Sequence, residues 1–169
     1  MLLLIEDFLR SFAATEWFKA FNFFMHDTYF APLLVVLTLA VLLLIPKKAT
    51  RVSLLVSLVV AAVLVYLLKL FYADPRPCAG LTDCEGGFGF PSGHSTFAFT
   101  IATHTFGTKY FYVFLLVAVI IALSRVVAGA HSFLQIVGGA VLGFVVSTSV
   151  NIITARFFDK KDKKENGLV

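Results

Sequence analysis

Four long apolar runs, separated by short clusters of basic residues, constrain this chain more than any other feature. Ala31–Ile45 is apolar apart from Pro32 and Thr38 and ends at Pro46, Lys47 and Lys48. Val52–Phe71 has only small polar interruptions until Lys69. Tyr110–Val127 is broken only by Ser124 and Arg125, and the glycine-rich run Phe133–Ile153 stops before Arg156. A helix that crosses a bilayer needs roughly 20 apolar residues, with a range of about 17–25. A chain of 169 residues offers one compact domain, and a water-facing surface could not absorb so much apolar side chain. Hydrophobic residues make up 59% and charged residues 14%, against about 25% charged in soluble domains. The bilayer is the second solvent that this composition requires.

A fifth segment, Ser95–Phe106, is shorter and carries His104 and several threonines. It is read as a further span because long apolar runs flank it and one more crossing keeps the basic clusters together. With five spans, Lys47, Lys48, Arg51, Lys109, Arg156, Lys160, Lys161, Lys163 and Lys164 share one side, nine of the fourteen basic residues. That side is expected to be cytoplasmic. The formal charge of +4 therefore reports topology and not nucleic acid, for which no basic stripe interleaved with aromatics is present.

Residues 1–30 differ from the rest. Ile5, Phe8, Leu9 and Phe12 recur at helical spacing, opposite Glu6, Asp7 and Arg10. This pattern predicts an amphipathic helix lying in the membrane interface. The alternative is a sixth span, in which Glu6, Asp7, Glu16 and Lys19 would be costly at depth. The stretch Trp17–Phe24 reads as an aromatic surface anchor that could border a lateral lipid entry. Met1–Ile5 is too short for the apolar region of a cleavable signal. The tail Asp159–Val169 is charged and expected to fray. The fold class expected is all-α: a single polytopic membrane bundle over residues 1–169, with no repeat and no second domain.

Charges at a membrane edge are functional candidates by default. Here they fall in three groups: Lys69 with Arg76 and Pro77; Pro91, Ser92, Gly93 and His94; and Ser124 and Arg125, five residues, then His131. The topology set by the basic clusters sends all three to the opposite, outer face. Their residue types suit phosphate. Arginine gives bidentate forks and lysine a point charge. Ser92 can donate its hydroxyl, and Gly93 lets its backbone N–H approach closely. Of two histidines, a neutral one can attack phosphorus and a protonated one can serve the leaving oxygen.

Together the three groups resemble the tripartite signature of the type 2 phosphatidic acid phosphatase family, over roughly Lys69 to Gln135. The resemblance implies a metal-independent lipid phosphatase without cofactor. In it His131 is the nucleophile, His94 the acid, and Lys69, Arg76, Ser92, Gly93 and Arg125 bind the phosphate. It also implies a phosphorylated membrane lipid as partner. Undecaprenyl diphosphate and the 1-phosphate of lipid A are favoured over phosphatidylglycerophosphate and phosphatidic acid. The implied location is a bacterial inner membrane, with the site facing the periplasm or outside. Soluble relatives in the family are vanadium-dependent haloperoxidases.

One position departs from the family pattern. Four residues after the nucleophile the family carries Asp, and this chain carries Gln135. A Gln carbonyl can still accept the ring N–H and fix the tautomer, but it brings no negative charge. Asp74, Asp83 and Glu85 are the loop carboxylates that could supply one. The same departure motivates the alternative function, a catalytically weakened homologue that binds or transports a phosphorylated lipid.

The remaining polar residues have plainer expected roles. His104 is read as a satisfied core residue, His26 as a surface or interface residue, and Asn151 as an interhelical hydrogen bond. Gly138, Gly139 and Gly143 are read as sites of close helix packing. Cys78 and Cys84 flank a short outer loop, where a disulfide is expected in an oxidising compartment; two free thiols are the alternative.

Overall fold

The computed structural model describes residues 15–24, 27–45, 47–80, 84 and 86–165. The periodic stretch Ile5–Phe12, His26, Asp83 and Glu85 lie outside them. All regular structure among the described residues is helical: α1 (Glu16–Phe24), α2 (Asp27–Leu44), α3 (Lys48–Tyr72), α4 (Gly93–His104), α5 (Phe111–Val127) and α6 (Phe133–Glu165).

The distribution of side chains is that of a membrane protein. Leu43, Phe71, Phe106 and Tyr112 are all at least 74% exposed, whereas Ser53, Ser57, Thr96, Arg125 and His131 are buried. Apolar surface this continuous is covered by lipid. Lys48–Tyr72 and Phe133–Lys160 are each long and apolar enough to cross a membrane, while Phe30–Leu44 and Phe111–Val127 are apolar but shorter.

The fifth segment of the sequence becomes α4, the centre of the bundle, packed against α2, α3, α5 and α6. Its 12 residues span about 18 Å at 1.5 Å per residue, short of a hydrocarbon core of about 30 Å. Eight of them, including Ser95, Thr96 and Thr100, are buried. Its weak hydropathy follows, because its surroundings are protein. Threonine hydroxyls here turn back onto the helix: Thr96 donates to the Ser92 carbonyl at 2.9 Å and Thr103 to that of Phe99 at 2.7 Å.

The glycines of α6 make the tight packing possible. A Cβ on Gly139 would lie 2.5 Å from the Ser92 carbonyl oxygen, and one on Gly143 would lie 3.0 Å from the Thr100 amide. Gly138 is filled by the Phe90 ring. Gly139 and Gly143 form a G-x-x-x-G pair that brings the two backbones together.

Three expectations are adjusted. The helix containing the first apolar run begins at Asp27, inside the segment assigned to an interfacial helix. The last helix continues through Glu165 into the tail expected to fray. Asn151 is exposed and makes no hydrogen bond among the described residues. It lines a cavity of about 270 Å³ with His104 and Ser147. The interhelical bond comes instead from Ser147, one turn earlier, which donates to the Thr100 carbonyl at 3.2 Å.

His104 sits at the end of α4 remote from His94. A carbonyl can only accept, so Nδ1 donates to Thr100 at 2.9 Å. Nε2 then accepts from the Ser53 and Ser57 hydroxyls at 3.2 and 3.5 Å. Both ring nitrogens are occupied, and the residue is a structural link between α3 and α4.

Candidate active site

Chain direction brings the three motifs to one end of the bundle. Lys69 lies in the last turn of α3 and Arg76 just after it, Gly93 and His94 open α4, Arg125 lies in the last turn of α5, and His131 stands two residues before α6. The basic clusters around Lys48, Lys109 and Arg156 lie at the opposite helix ends.

Each motif is tied to the next. Ala73 adopts a left-handed conformation (φ 45°), and its amide donates to the Lys69 carbonyl at 3.0 Å, ending α3 and turning the chain at Asp74. The Gly89 amide donates to the Asp74 carbonyl at 2.7 Å, and Lys69 Nζ donates to the Phe88 carbonyl. The loop thus held carries a disulfide between Cys78 and Cys84, whose Cα atoms are 5.4 Å apart. The Ser92 amide donates to the Gln135 carbonyl at 3.0 Å, fixing the second motif on α6. The His131 amide donates to the Arg125 carbonyl at 3.1 Å, fixing the two halves of the third.

Ser92 is the N-cap of α4, its oxygen accepting from the Ser95 amide at 3.4 Å. That bond uses a lone pair and leaves the hydroxyl proton for another acceptor. Gly93 and His94 stand in the first turn of α4, and a helix N-terminus favours anions. A Cβ on Gly93 would meet Val65 and Phe97 only at ordinary distances of 3.8 and 4.0 Å, so packing does not demand glycine there. His94, Arg76, Arg125 and His131 are all buried, Arg125 to 2% exposure. Both arginines are buried toward the same end of the bundle, and guanidinium is a residue type that suits a multiply charged anion.

The residue that completes the site is Gln135. Its Oε1 accepts from His131 Nδ1 at 3.0 Å and from the Ser132 amide at 3.1 Å, while its Nε2 donates to Asp74 Oδ2 at 2.7 Å and to the Pro75 carbonyl at 3.0 Å. Flipping the amide would set donor against donor and acceptor against acceptor in these contacts, so its orientation follows from chemistry. With Oε1 as the acceptor, His131 carries a proton on Nδ1. Gly89 faces the same amide so closely that a Cβ would meet the Gln135 side chain, 2.6 Å from its Cδ.

Two participants escape sequence reasoning. Phe30 of α2 is buried against His94, ring centroids 4.0 Å apart and planes tilted by 37°; in an apolar run nothing marks this phenylalanine. Gly89 is the other, one glycine among several in its loop. An apolar cavity of about 340 Å³, lined by Phe99, Phe106, Phe111 and Phe144, lies toward the other end of α4. It suits a hydrocarbon chain and not a phosphate.

Fold and site together define a membrane-embedded helical protein with a histidine–arginine site at one end of the bundle. The PAP2 superfamily matches residues 50–159, and the chain belongs to that family. Among solved structures, the first transmembrane PAP2 type phosphatidylglycerolphosphate phosphatase from Bacillus subtilis is similar in fold, with 21% identity, 95% of this chain and 87% of that chain covered, and a TM-score of 0.63. Aquifex aeolicus LpxE is similar with 28% identity, 91% of this chain and 94% of that chain covered, and a TM-score of 0.64. A search of curated proteins returns no match.

Proposed function

We propose that this protein is a membrane lipid phosphatase that hydrolyses a lipid phosphate or diphosphate through a phosphohistidine on His131. The observation that carries the reading is the Nδ1 bond of His131 to Gln135 at 3.0 Å, which fixes the ring and assigns the attack on phosphorus to Nε2. In the first step Nε2 forms the N–P bond, the bond from phosphorus to the lipid oxygen breaks, and His94 gives that oxygen a proton. In the second step His94 takes a proton from water, the water oxygen bonds to phosphorus, and the N–P bond breaks to release inorganic phosphate. Arg76, Arg125, Lys69, the Ser92 hydroxyl and the Gly93 amide hold the phosphoryl oxygens as charge develops.

The basic ends of the helices support an orientation with those ends in the cytoplasm and the site at the outer face of a bacterial inner membrane. The hydrocarbon chain stays in the bilayer. Undecaprenyl diphosphate and the 1-phosphate of lipid A suit a compact chain with an outer-face site. Phosphatidylglycerophosphate, the lipid for which the Bacillus subtilis phosphatase is named, and phosphatidic acid complete the set. A weakened homologue that binds or transports such a lipid is the second reading, favoured by the neutral Gln135 beside His131.

Phosphate release from these four lipids by purified protein, against His131→Ala and His94→Ala, tests the reading. Release by wild type well above both variants supports it, and rates no higher than the variants reject an enzyme.

A further inference from the structure

The neutral residue beside the nucleophile does not end the chain of hydrogen bonds. Gln135 Nε2 donates to Asp74 Oδ2 at 2.7 Å while Oε1 of the same amide accepts from His131 at 3.0 Å. We propose that Asp74 is a positioning residue for His131, acting through the Gln135 amide, so that the negative charge missing from position 135 is supplied one side chain further out. The inference rests on the phosphohistidine reading and names a part of that site.

The physics is that of a polarised amide. A carboxylate accepting from Nε2–H draws positive charge to the nitrogen side and makes Oε1 the stronger acceptor. As Nε2 of His131 bonds to phosphorus the ring becomes cationic, and its Nδ1–H becomes the stronger donor. The two effects reinforce one another without moving a proton: Gln135 cannot take one, and Asp74 has no direct contact with the ring through which to do so.

Geometry makes the arrangement specific. Asp74 is held by its own carbonyl, which accepts from Gly89 at 2.7 Å, and the Gln135 side chain is fixed by four bonds in one orientation. The lack of a side chain at Gly89 leaves the space that the amide occupies. A glutamine serving only as a staple between loops needs acceptors for Nε2. The Pro75 carbonyl at 3.0 Å already provides one, so charge on the second acceptor is what distinguishes a relay from a staple.

The test is a charge swap. Asp74→Asn keeps shape and an accepting oxygen but removes the charge. In it kcat falls roughly tenfold, equivalent to about 1.4 kcal/mol of transition-state stabilisation, with KM and thermal midpoint unchanged. The acidic limb of the rate profile moves to lower pH, because the cationic ring has lost a stabilising charge; Lys69, Arg76, His94 and Arg125 are untouched. The nitrogen-resolved proton resonance of His131 Nδ1–H moves upfield in the same variant, a readout that needs no turnover. The double variant Asp74→Asn with Gln135→Glu puts a carboxylate next to the ring and an amide donor behind it, and restores kcat to within about threefold, roughly 0.6 kcal/mol.

Wild-type kcat and an unmoved Nδ1–H resonance in Asp74→Asn overturn the relay, as does a folded swap with no recovery. If Asp74→Asn does not fold, the swap alone decides in the same way. An active wild type with an inactive His131→Ala and an unaffected Asp74→Asn defeats the relay alone. A wild type no faster than His131→Ala defeats the phosphatase reading and the relay with it.

Discussion

Gly139 presses its Cα face against the main chain of Ser92, the residue that opens the second motif. A Cβ at position 139 would stand 2.5 Å from the Ser92 carbonyl oxygen and 3.0 Å from Ser95 Cβ. Since that oxygen is backbone, an added methyl must push α6 and α4 apart. Four residues earlier on α6, the Gln135 carbonyl holds the Ser92 amide at 3.0 Å, so the same displacement pulls on the link between the two histidine motifs.

Gly139→Ala is therefore expected to lower stability by about 1–3 kcal/mol, the usual cost of overpacking a tight core, and to reduce phosphate release by more than its loss of folded protein. The measurement is a thermal midpoint in detergent beside an initial rate. Gly86→Ala is the control, because a Cβ there meets nothing within 4 Å and neither quantity should move.

His104 offers the opposite signature. Ten residues separate it from His94, about 15 Å along a helix, and both its nitrogens are committed to α3 and α4. Replacing it with leucine leaves the Ser53 and Ser57 hydroxyls without that acceptor, at a cost of about 1–3 kcal/mol in a buried site. The folded fraction should keep the wild-type kcat. A kcat loss without a stability loss would show that this histidine takes part in the reaction.

Much of this was legible in the sequence because the signals were local or strongly patterned. Apolar runs marked four helices, and the basic clusters sent Lys69, Arg76, Ser92, His94, Arg125 and His131 to one end of the bundle. Gly138, Gly139 and Gly143 pack as closely as expected, because small residues in an apolar helix have few other uses. The failures are of another kind. Ser147, not Asn151, bridges to α4, since helical rotation decides which polar residue faces a neighbour, and one turn of error changes the partner. Asp74 was one of three loop carboxylates with equal claims. The path of the chain after Ala73 and the length of a glutamine side chain bring it to the Gln135 amide, while Asp83 and Glu85 lie outside the described residues. Phe30 was invisible, because its role depends on which helix covers His94.

The loop between the first two motifs gives a topological prediction. Cys78 and Cys84 close a small ring next to Arg76, worth roughly 2 kcal/mol in the loop-entropy treatment. After mild reduction, a membrane-impermeant thiol reagent added to intact cells or spheroplasts should label both cysteines from outside. Labelling only once the inner face is opened would invert the orientation and place the site in the cytoplasm.

Phe30 gives the last prediction. Its ring lies over the His94 imidazole at 4.0 Å between centroids, within the range at which an aromatic face attracts a cation. If His94 must be protonated to serve the leaving oxygen, the phenylalanine both holds the ring and stabilises its charged form. Such a contact contributes about 0.5–2 kcal/mol, or roughly 2- to 30-fold in rate. Phe30→Leu, which keeps an apolar side chain in the same pocket, should lower kcat on a lipid phosphate by an amount in that range. Phe30→Tyr, which keeps the ring, should lose much less. The deficit should shrink when the leaving group is an aryl oxide that departs without a proton, because the acid is then no longer needed. An equal deficit on both substrates would mean that Phe30 packs the bundle and leaves the acid alone.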